Sequence, residues 1–512
     1  MSSRALNVLR DTYVDSVVQL SGTRAMYAVD GVEWTAAAMA TPANLEELRA
    51  EGFDTAAIEP VGGNDLFFAV RAESQEAVDA ALAAAETAVF ATRGSSASGP
   101  VARPRSLRAA IQAQPGSNVA VISVPGDYAP LEAHKALTAG LDVLLFSDNV
   151  TVADEIELKD RARSLGRLVM GPGAGTAMLG QTGLGFANVV KPGRIGVIAA
   201  AGTGAQEAMS LLDRFGEGVI AVIGLGGRDL SAEVDGRMAR LAVASLRARE
   251  DVEAILFVSK PPADAVAKAV IADAGDTPFV AAYVGTTASF DLPDTARVAS
   301  TLEAGVLETL RLLGREVPDV VGDLAAEVDD AAGRLRPEQR LVRGLYSGGT
   351  LCYEALTILG PILGEVWSNT PLDKSLHVPA PAGSHICLDL GEEEYTQGRP
   401  HPMIDPEARL ELLREAGGET DLAAILLDVV IGYGSHEDPA GQLAPACREI
   451  HDSGGAQVIA YVLGTDQDPQ GYAAQRATLE AAGCIVTETA ARAALAAGAL
   501  ATRRVELVRQ VL

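Results

Sequence analysis

Two short runs, Ala201-Gly202-Thr203-Gly204 and Gly348-Gly349-Thr350, hold the residues best suited to gripping an anion. Each follows an apolar, strand-like stretch (RIGVIAAA and LVRGLYS) and opens a helix-like one. A helix start leaves backbone N–H groups unpaired and carries about half a positive charge. Glycine lets an anion come close to the backbone, and the threonine hydroxyl adds a donor. One Gly-Thr turn is as well explained by turning and capping the chain. Two turns related by duplication point instead to a shared site, with both helix starts aimed at one phosphate-sized group. Gly202, Thr203, Gly204, Gly348, Gly349 and Thr350 are therefore the candidate phosphate ligands.

Four of the six histidines fall within residues 377–436, which puts most of the imidazoles in one region. His436 lies in GSHEDP after an expected strand end, and His401 lies in GRPHPMIDP beside Arg399 and Asp405. Strand ends are where open α/β sheets bind ligands, and imidazole titrates near neutrality, so both are candidate acid–base catalysts. The competing role is hydrogen bonding within a loop, which is the role assigned to His377 and His385. Arg228, beside Asp229 in GLGGRDLS, suits a carboxylate or phosphate bidentately, or else forms an internal ion pair. Lys260, before Pro261-Pro262 at another strand end, is a candidate substrate contact. The run Glu392-Glu393-Glu394 could bind a divalent cation together with Asp389 or Asp405, but it reads first as a solvated loop, and no metal is expected. The tract GTDQDPQ either caps a helix or lines the pocket.

Positioning these residues takes several elements. Residues 1–92 read as a small α+β module, with strand-like VEWTAAAMA and DLFFAVRA beside helical PANLEELRAEG and SQEAVDAALAAAETAV. A linker over 93–117 begins with the Ser/Gly/Pro-rich RGSSASGPVARP. Residues 118–190, with strands VAVISV, DVLLF and RLVMG between helical stretches, read as a parallel α/β domain. Two further α/β series follow, over 191–335 and 336–512. They repeat one another: AGTGAQEA matches GGTLCYEA, EAILFVSKPPADA matches AAILLDVVIGYGSHEDPA, and FVAAYVGTT matches VIAYVLGTD. The pairs Gly202/Gly349, Ile255/Ile425 and Tyr283/Tyr461 are 147, 170 and 178 residues apart, so the second copy carries an insertion, mostly before its second match.

The chain's 512 residues call for several cores, and a net charge of −27 disfavours nucleic acid and anionic membrane surfaces as partners. A small anionic substrate needs a locally positive pocket against that background. No apolar run reaches the ~20 residues of a membrane span. The amino terminus shows no secretory pattern, and the four cysteines form no CxxC. The expectation is a cytoplasmic protein with reduced thiols.

The runs GPGAGT, KPGRIGVIAAAGTGAQEA, IGLGGRDLS and FVSKPPA resemble the succinyl-CoA synthetase α chain, while GGTLCYEA, LDLGEEE and DVVIGYGSHEDPA resemble its β chain. The FdrA family, which fuses the two, resembles this chain over nearly its whole length, through DSVVQL, MATPANLEEL, SVPGDYA, FSDNVT, GRPHPMIDP and LGTDQDPQ. The resemblance implies a Rossmann-like CoA-binding-type domain over 118–190. It also implies two flavodoxin-like ligase domains over 191–335 and 336–512, the second with the insertion.

In the ligases the paired helix starts stabilise a phosphohistidine, which would fall shortly after YVG (283–285); here TTASFDLPDTARVASTLEAGV contains none. The glycine-rich CoA fingerprint, an ATP-grasp domain and a P-loop are missing too. The resemblance to FdrA implies a subunit that handles carbamoyl or acyl phosphate, as in oxamate carbamoyltransferase complexes. Phosphate or carbamoyl phosphate would be the ligand, CoA an optional one, and partner subunits or a homo-oligomer the assembly. The chain departs from FdrA's GPDCGT with Gly171-Pro172-Gly173-Ala174-Gly175-Thr176, and has Ala201 for the usual serine. Two other readings stay open: an acyl-CoA ligase subunit of the succinate-CoA ligase kind, and a non-catalytic, self-assembling scaffold.

Overall fold

The computed structural model describes residues 3–14, 16–58, 60–90, 104–396 and 400–512. They divide into two compact units, the first within residues 1–103 together with Pro400, the second within 104–396 and 401–512.

The first unit is a three-stranded antiparallel sheet in the order β1-β3-β2: β1 (Ser3–Leu9), β2 (Val32–Met39) and β3 (Leu66–Ala72). The central strand is buried almost throughout, from Leu66 to Val70. Helix Gln75–Phe90 buries Val78, Ala81, Ala85 and Val89, a three-four-four spacing that lays one stripe on the sheet. Helix Pro42–Ala50 starts at Thr41, whose hydroxyl accepts from Asn44 N–H, with proline in the first turn. Strand β1 and helix Ser16–Tyr27 are additions to the elements expected of this module.

Of the expected linker, residues 93–103 lie outside the described residues. Its remainder is partly helical: Ser106 caps helix Leu107–Ala113 through Ala109 N–H at 3.2 Å. Leu107 and Ile111, one turn apart, pack against the neighbouring core, which is why this stretch folds instead of linking.

The second unit holds three sheets. Strands β4 (Val119–Ile122), β5 (Asp142–Leu145) and β6 (Val169–Met170) form a small parallel sheet in chain order. Strands β7 (Thr176–Leu179) and β8 (Thr182–Gly185) make a hairpin that the sequence reading grouped with that domain. The hairpin instead joins β9 (Pro192–Ala199), β10 (Val219–Gly224), β11 (Ala254–Ser259), β12 (Phe279–Tyr283) and β13 (Ala296–Ala299) in a seven-stranded sheet, ordered β13-β12-β11-β9-β10-β7-β8. The third sheet comprises β14 (Leu341–Tyr346), β15 (Val366–Trp367), β16 (His385–Asp389), β17 (Leu422–Val430), β18 (Gln457–Leu463) and β19 (Ile485–Thr487). Its order is β15-β16-β14-β17-β18-β19.

Without the hairpin and β15, each large sheet has the flavodoxin order 2-1-3-4-5, all parallel. The duplication read from the sequence is thus a duplication of topology. One hydrophobic core takes residues from both copies, from Val197 and Met209 to Leu356 and Leu495, and fixes the copies against each other. In each copy the order reverses beside the first strand, β9 or β14, so the helix after that strand starts at the switch point where such sheets bind ligands. Those helices are Gly202–Arg214 and Gly349–Leu363.

Candidate functional site

The two Gly-Thr turns meet. A methyl on Gly348 would stand 2.7 Å from Thr203 Cγ2, and one on Gly204 would stand 3.0 Å from Thr350 Cγ2. Each threonine therefore packs on the other turn's glycine, a reciprocal contact that only glycine leaves room for. A cavity of about 630 Å³ opens beside them, lined by Gly202, Thr203, Gly349 and Thr350. Lys260, His401, Asp389 and the Gly173–Thr176 turn complete much of its wall.

The helix starts differ in their charge environment. At the first, Ala201 is extended (φ −148, ψ 136) and offers no side-chain cap. The following N–H groups are thus left to whatever enters the cavity. At the second, the Asp428 carboxylate accepts from Ser347 N–H and Gly348 N–H at 2.8 Å each and from the Ser347 hydroxyl at 2.9 Å. Buried Arg409 pairs with Asp428 at 2.7 Å. The Asp389 carboxylate stands against the Gly349 α-carbon, 2.4 Å from where a methyl would sit. Burial chiefly, with Glu392 adding, pushes the Asp389 carboxyl up to about 7, against the Gly391 N–H and Lys260. The expected anion ligands therefore separate. Gly202 and Thr203 face the cavity uncapped, Gly349 and Thr350 face it beside Asp389, Gly348 N–H is taken by Asp428, and Gly204 serves the contact between turns.

The remaining candidates also divide. His401 lines the cavity. Its Nδ1 accepts Met403 N–H at 3.3 Å, so Nε2 carries the proton of the neutral ring. Burial and Arg409 depress its basicity to about 4, against the pull of Asp428, and the ring stays neutral through physiological pH. Lys260 Nζ stands 4.9 Å from the Tyr353 ring centroid, at the cavity wall where β11 ends.

His436 does not line the cavity. Its Nδ1 accepts Asp438 N–H at 3.0 Å and its own N–H donates to Met403 O at 2.8 Å, which holds the turn before helix Pro439–Asp452. Arg228 also lies off it, donating to Glu155 Oε2 at 3.0 Å and Val150 O at 2.8 Å. Its neighbour Asp229 takes fully buried Lys159 at 2.8 Å and caps helix Arg237–Arg247. These are internal ion pairs shaping the glycine turn. Asp468 of GTDQDPQ accepts from Asn188 Nδ2 and Val189 N–H, tying the second copy to the segment that leads into the first. Arg399 lies outside the described residues. Among the described residues no group of three or more His, Cys, Asp or Glu could hold a metal, and no helix is long and apolar enough to cross a membrane.

Two wall residues escaped the sequence reading: Thr176 and Gln206. Both are buried, both line the cavity, and Thr176 Oγ1 and Gln206 Oε1 have no hydrogen-bond partner. The signal for Gln206 was present, because the repeat aligns it with Tyr353, a polar group set against an aromatic one.

A family model described as CoA-ligase matches residues 345–500, and one described as AllF, heavy metal-associated domain, matches residues 1–104. Residues 1–104 contain neither cysteine nor histidine. The chain is 36% identical over 498 residues to the uncharacterized protein YahF of Escherichia coli, covering 95% of this chain and 96% of that one. It is 30% identical over 115 residues to subunit alpha 2 of the ADP-forming succinate–CoA ligase of Archaeoglobus fulgidus, across 22% of this chain and 40% of that one. The ADP-forming sulfoacetate-CoA ligase subunit SauD of Bilophila wadsworthia is 28% identical over 193 residues, across 36% of this chain and 64% of its own length.

Proposed function

The chain belongs to one family with YahF and matches the CoA-ligase family model over residues 345–500, and from these likenesses we propose that it is an FdrA-like subunit of a transferase that handles carbamoyl or acyl phosphate. One observation carries the reading: an uncapped helix start, at Gly202-Thr203, opening on a cavity that holds no phosphate carrier. His401, the histidine in that wall, offers a protonated Nε2 to the cavity and keeps its lone pair on Nδ1 for Met403. It is placed to donate a hydrogen bond and not to accept a phosphoryl group.

The chemistry that suits such a site is direct exchange. Phosphate, held by the Gly202 and Thr203 N–H groups and approached by Lys260, attacks a carbamoyl or acyl carbon. Its oxygen forms the new bond to carbon, the bond to the leaving nitrogen or oxygen breaks, and the proton given up by the attacking hydrogen phosphate goes to that leaving atom. His401 Nε2–H and the helix start stabilise the oxyanion that develops between, and the cavity supplies positioning.

Isothermal titration of the chain with inorganic phosphate tests the binding step. Phosphate-dependent cleavage of oxalurate, with candidate partner subunits added, tests the reaction. The reading fails if phosphate does not bind, or if substituting both Gly202 and Gly349 by valine leaves the reaction untouched. A second reading, an acyl-CoA ligase subunit, is favoured by the ligase relatives. The small β4-β5-β6 sheet weakens it, since strands in chain order leave no switch-point crevice for the cofactor. Tight CoA binding by the isolated chain would favour it.

A further inference from the structure

The polarity of one buried amide can be read from its neighbours. Asn188 Nδ2 donates to Ile431 O and to Asp468 Oδ2, both at 2.8 Å, and both partners can only accept. Asn188 must therefore turn Oδ1 the other way, where it meets Gln206 Nε2 at 3.2 Å. A flipped Gln206 would set two carbonyl oxygens together, so the relay Asp468–Asn188–Gln206 fixes Gln206 with Nε2 inward and Oε1 left over. Oε1 has no partner in a side chain that is 0% exposed and lines the cavity. An unsatisfied buried carbonyl is unfavourable unless something donates to it.

Its place relative to the helix start narrows what that donor is. Gln206 is one turn after Gly202, about 6 Å along the axis, and helical side chains lean back toward the N-terminus. Thr176 Oγ1, the other unpartnered atom, lies 3.5 Å from where a methyl on Gly202 would sit. The Thr176 hydroxyl can donate to an anion at the helix start; Gln206 Oε1 can only accept. The wall thus asks for one ligand with two characters: an oxyanion, and an N–H donor within about 6 Å of it.

Resting on the function proposed above, we infer that Gln206 is a specificity-determining residue whose Oε1 accepts an N–H from the substrate. It selects an amino-carbonyl phosphate over one whose carbonyl carries an alkyl group. Asn188 is the positioning residue that keeps Oε1 available. The equivalent position in the second copy is Tyr353, which does not line the cavity, so the selection belongs to the first helix alone.

The test uses phosphonoacetamide and acetonylphosphonate, stable analogues that differ in NH₂ against CH₃ beside the carbonyl, and inorganic phosphate as the reference. Calorimetry on the full chain is expected to show phosphonoacetamide binding roughly tenfold or more tighter than acetonylphosphonate. Gln206→Met should bring the two within about twofold while phosphate affinity holds. Equal affinities in the wild type overturn the inference even if the variant does not fold. So does an unchanged ratio in Gln206→Met, which would mean that a water alone satisfies Oε1. Equal affinities in a wild type that still binds phosphate defeat this inference only, whereas absence of phosphate binding defeats the function beneath it.

Discussion

Placing an aspartate at Ala201 separates anion binding from folding. The residue is extended at the cap of helix Gly202–Arg214 and forms no side-chain cap, so the backbone already has the geometry that a capping carboxylate needs. Capping should stabilise the helix by about 1 kcal/mol, with roughly 0.3–1 kcal/mol more from the helix dipole. The same carboxylate would sit about 5 Å from a bound phosphate. At an effective dielectric near 20, repulsion is about 3 kcal/mol per unit of phosphate charge. Each 1.4 kcal/mol is a factor of about ten, so phosphate affinity should fall at least ~100-fold.

Ala201→Asp is therefore expected to melt at or above the wild-type temperature in differential scanning fluorimetry while losing phosphate binding in calorimetry. Ala201→Asn, which caps without charge, should lose about tenfold, the share due to competition for the N–H groups. Wild-type phosphate affinity in Ala201→Asp would refute the reasoning, because an anion indifferent to that charge is not at that helix start.

Other consequences follow from the same geometry. Asp389 titrates near 7, so anion affinity should fall as pH rises through 7 and a second negative charge appears beside Gly349; Asp389→Asn should flatten that dependence in phosphate titrations. Asp428→Ala removes the cap at Ser347 and Gly348 and leaves Arg409 buried without its partner, so it should destabilise by about 3–5 kcal/mol, seen as a lower melting temperature. Lys260→Ala should weaken phosphate several-fold, whereas Arg228→Ala, bound to Glu155 outside the cavity, should leave affinity unchanged. Burial raises the Glu207 carboxyl to about 7 and that of Glu354 to about 8. The native state then holds protons that the unfolded chain has released, so stability is fuller near pH 4.5 and falls as pH rises to about 8. Replacing both by glutamine should lessen the drop in melting temperature between pH 6 and 8.5.

Much of this was legible because the features are periodic or repeated. Strands RIGVIAAA and LVRGLYS, the Gly-Thr turns behind them and the pairing of Glu207 with Glu354 are short-range signals, and a duplicated strand order needs nothing more. The hairpin of β7 and β8 was missed for the opposite reason. Its membership of the larger sheet depends on one antiparallel pairing, Met178 with Val222, which no local pattern announces. Site chemistry was lost in the same way. Arg228 and His436 sit at strand ends, as catalytic residues do, but their partners Glu155 and Met403 come from distant parts of the chain and turn both away from the cavity. Gln206 becomes notable only once Asn188 and Asp468, 18 residues before and 262 after it, fix which end of its amide is spare.

The turns share a backbone plan and differ in their side chains. A symmetric pair would put two equal positive ends around one anion. Here the second copy has Asp428 on its Ser347 and Gly348 N–H groups and Asp389 against Gly349, so its start is already partly neutralised. The first copy has alanine at the cap and an open start. The groups brought across from the second copy, Asp389 and His401, come from the segment between its first helix and β17, where the insertion falls, and they line the same cavity. Division of labour follows from that arrangement. One copy presents N–H groups to an anion, and the other presents a carboxyl near neutrality and an imidazole N–H to whatever the anion is attached to. A site built this way needs both copies in one rigid body, which the shared core provides, and it gives each copy's turn a role the other cannot take over.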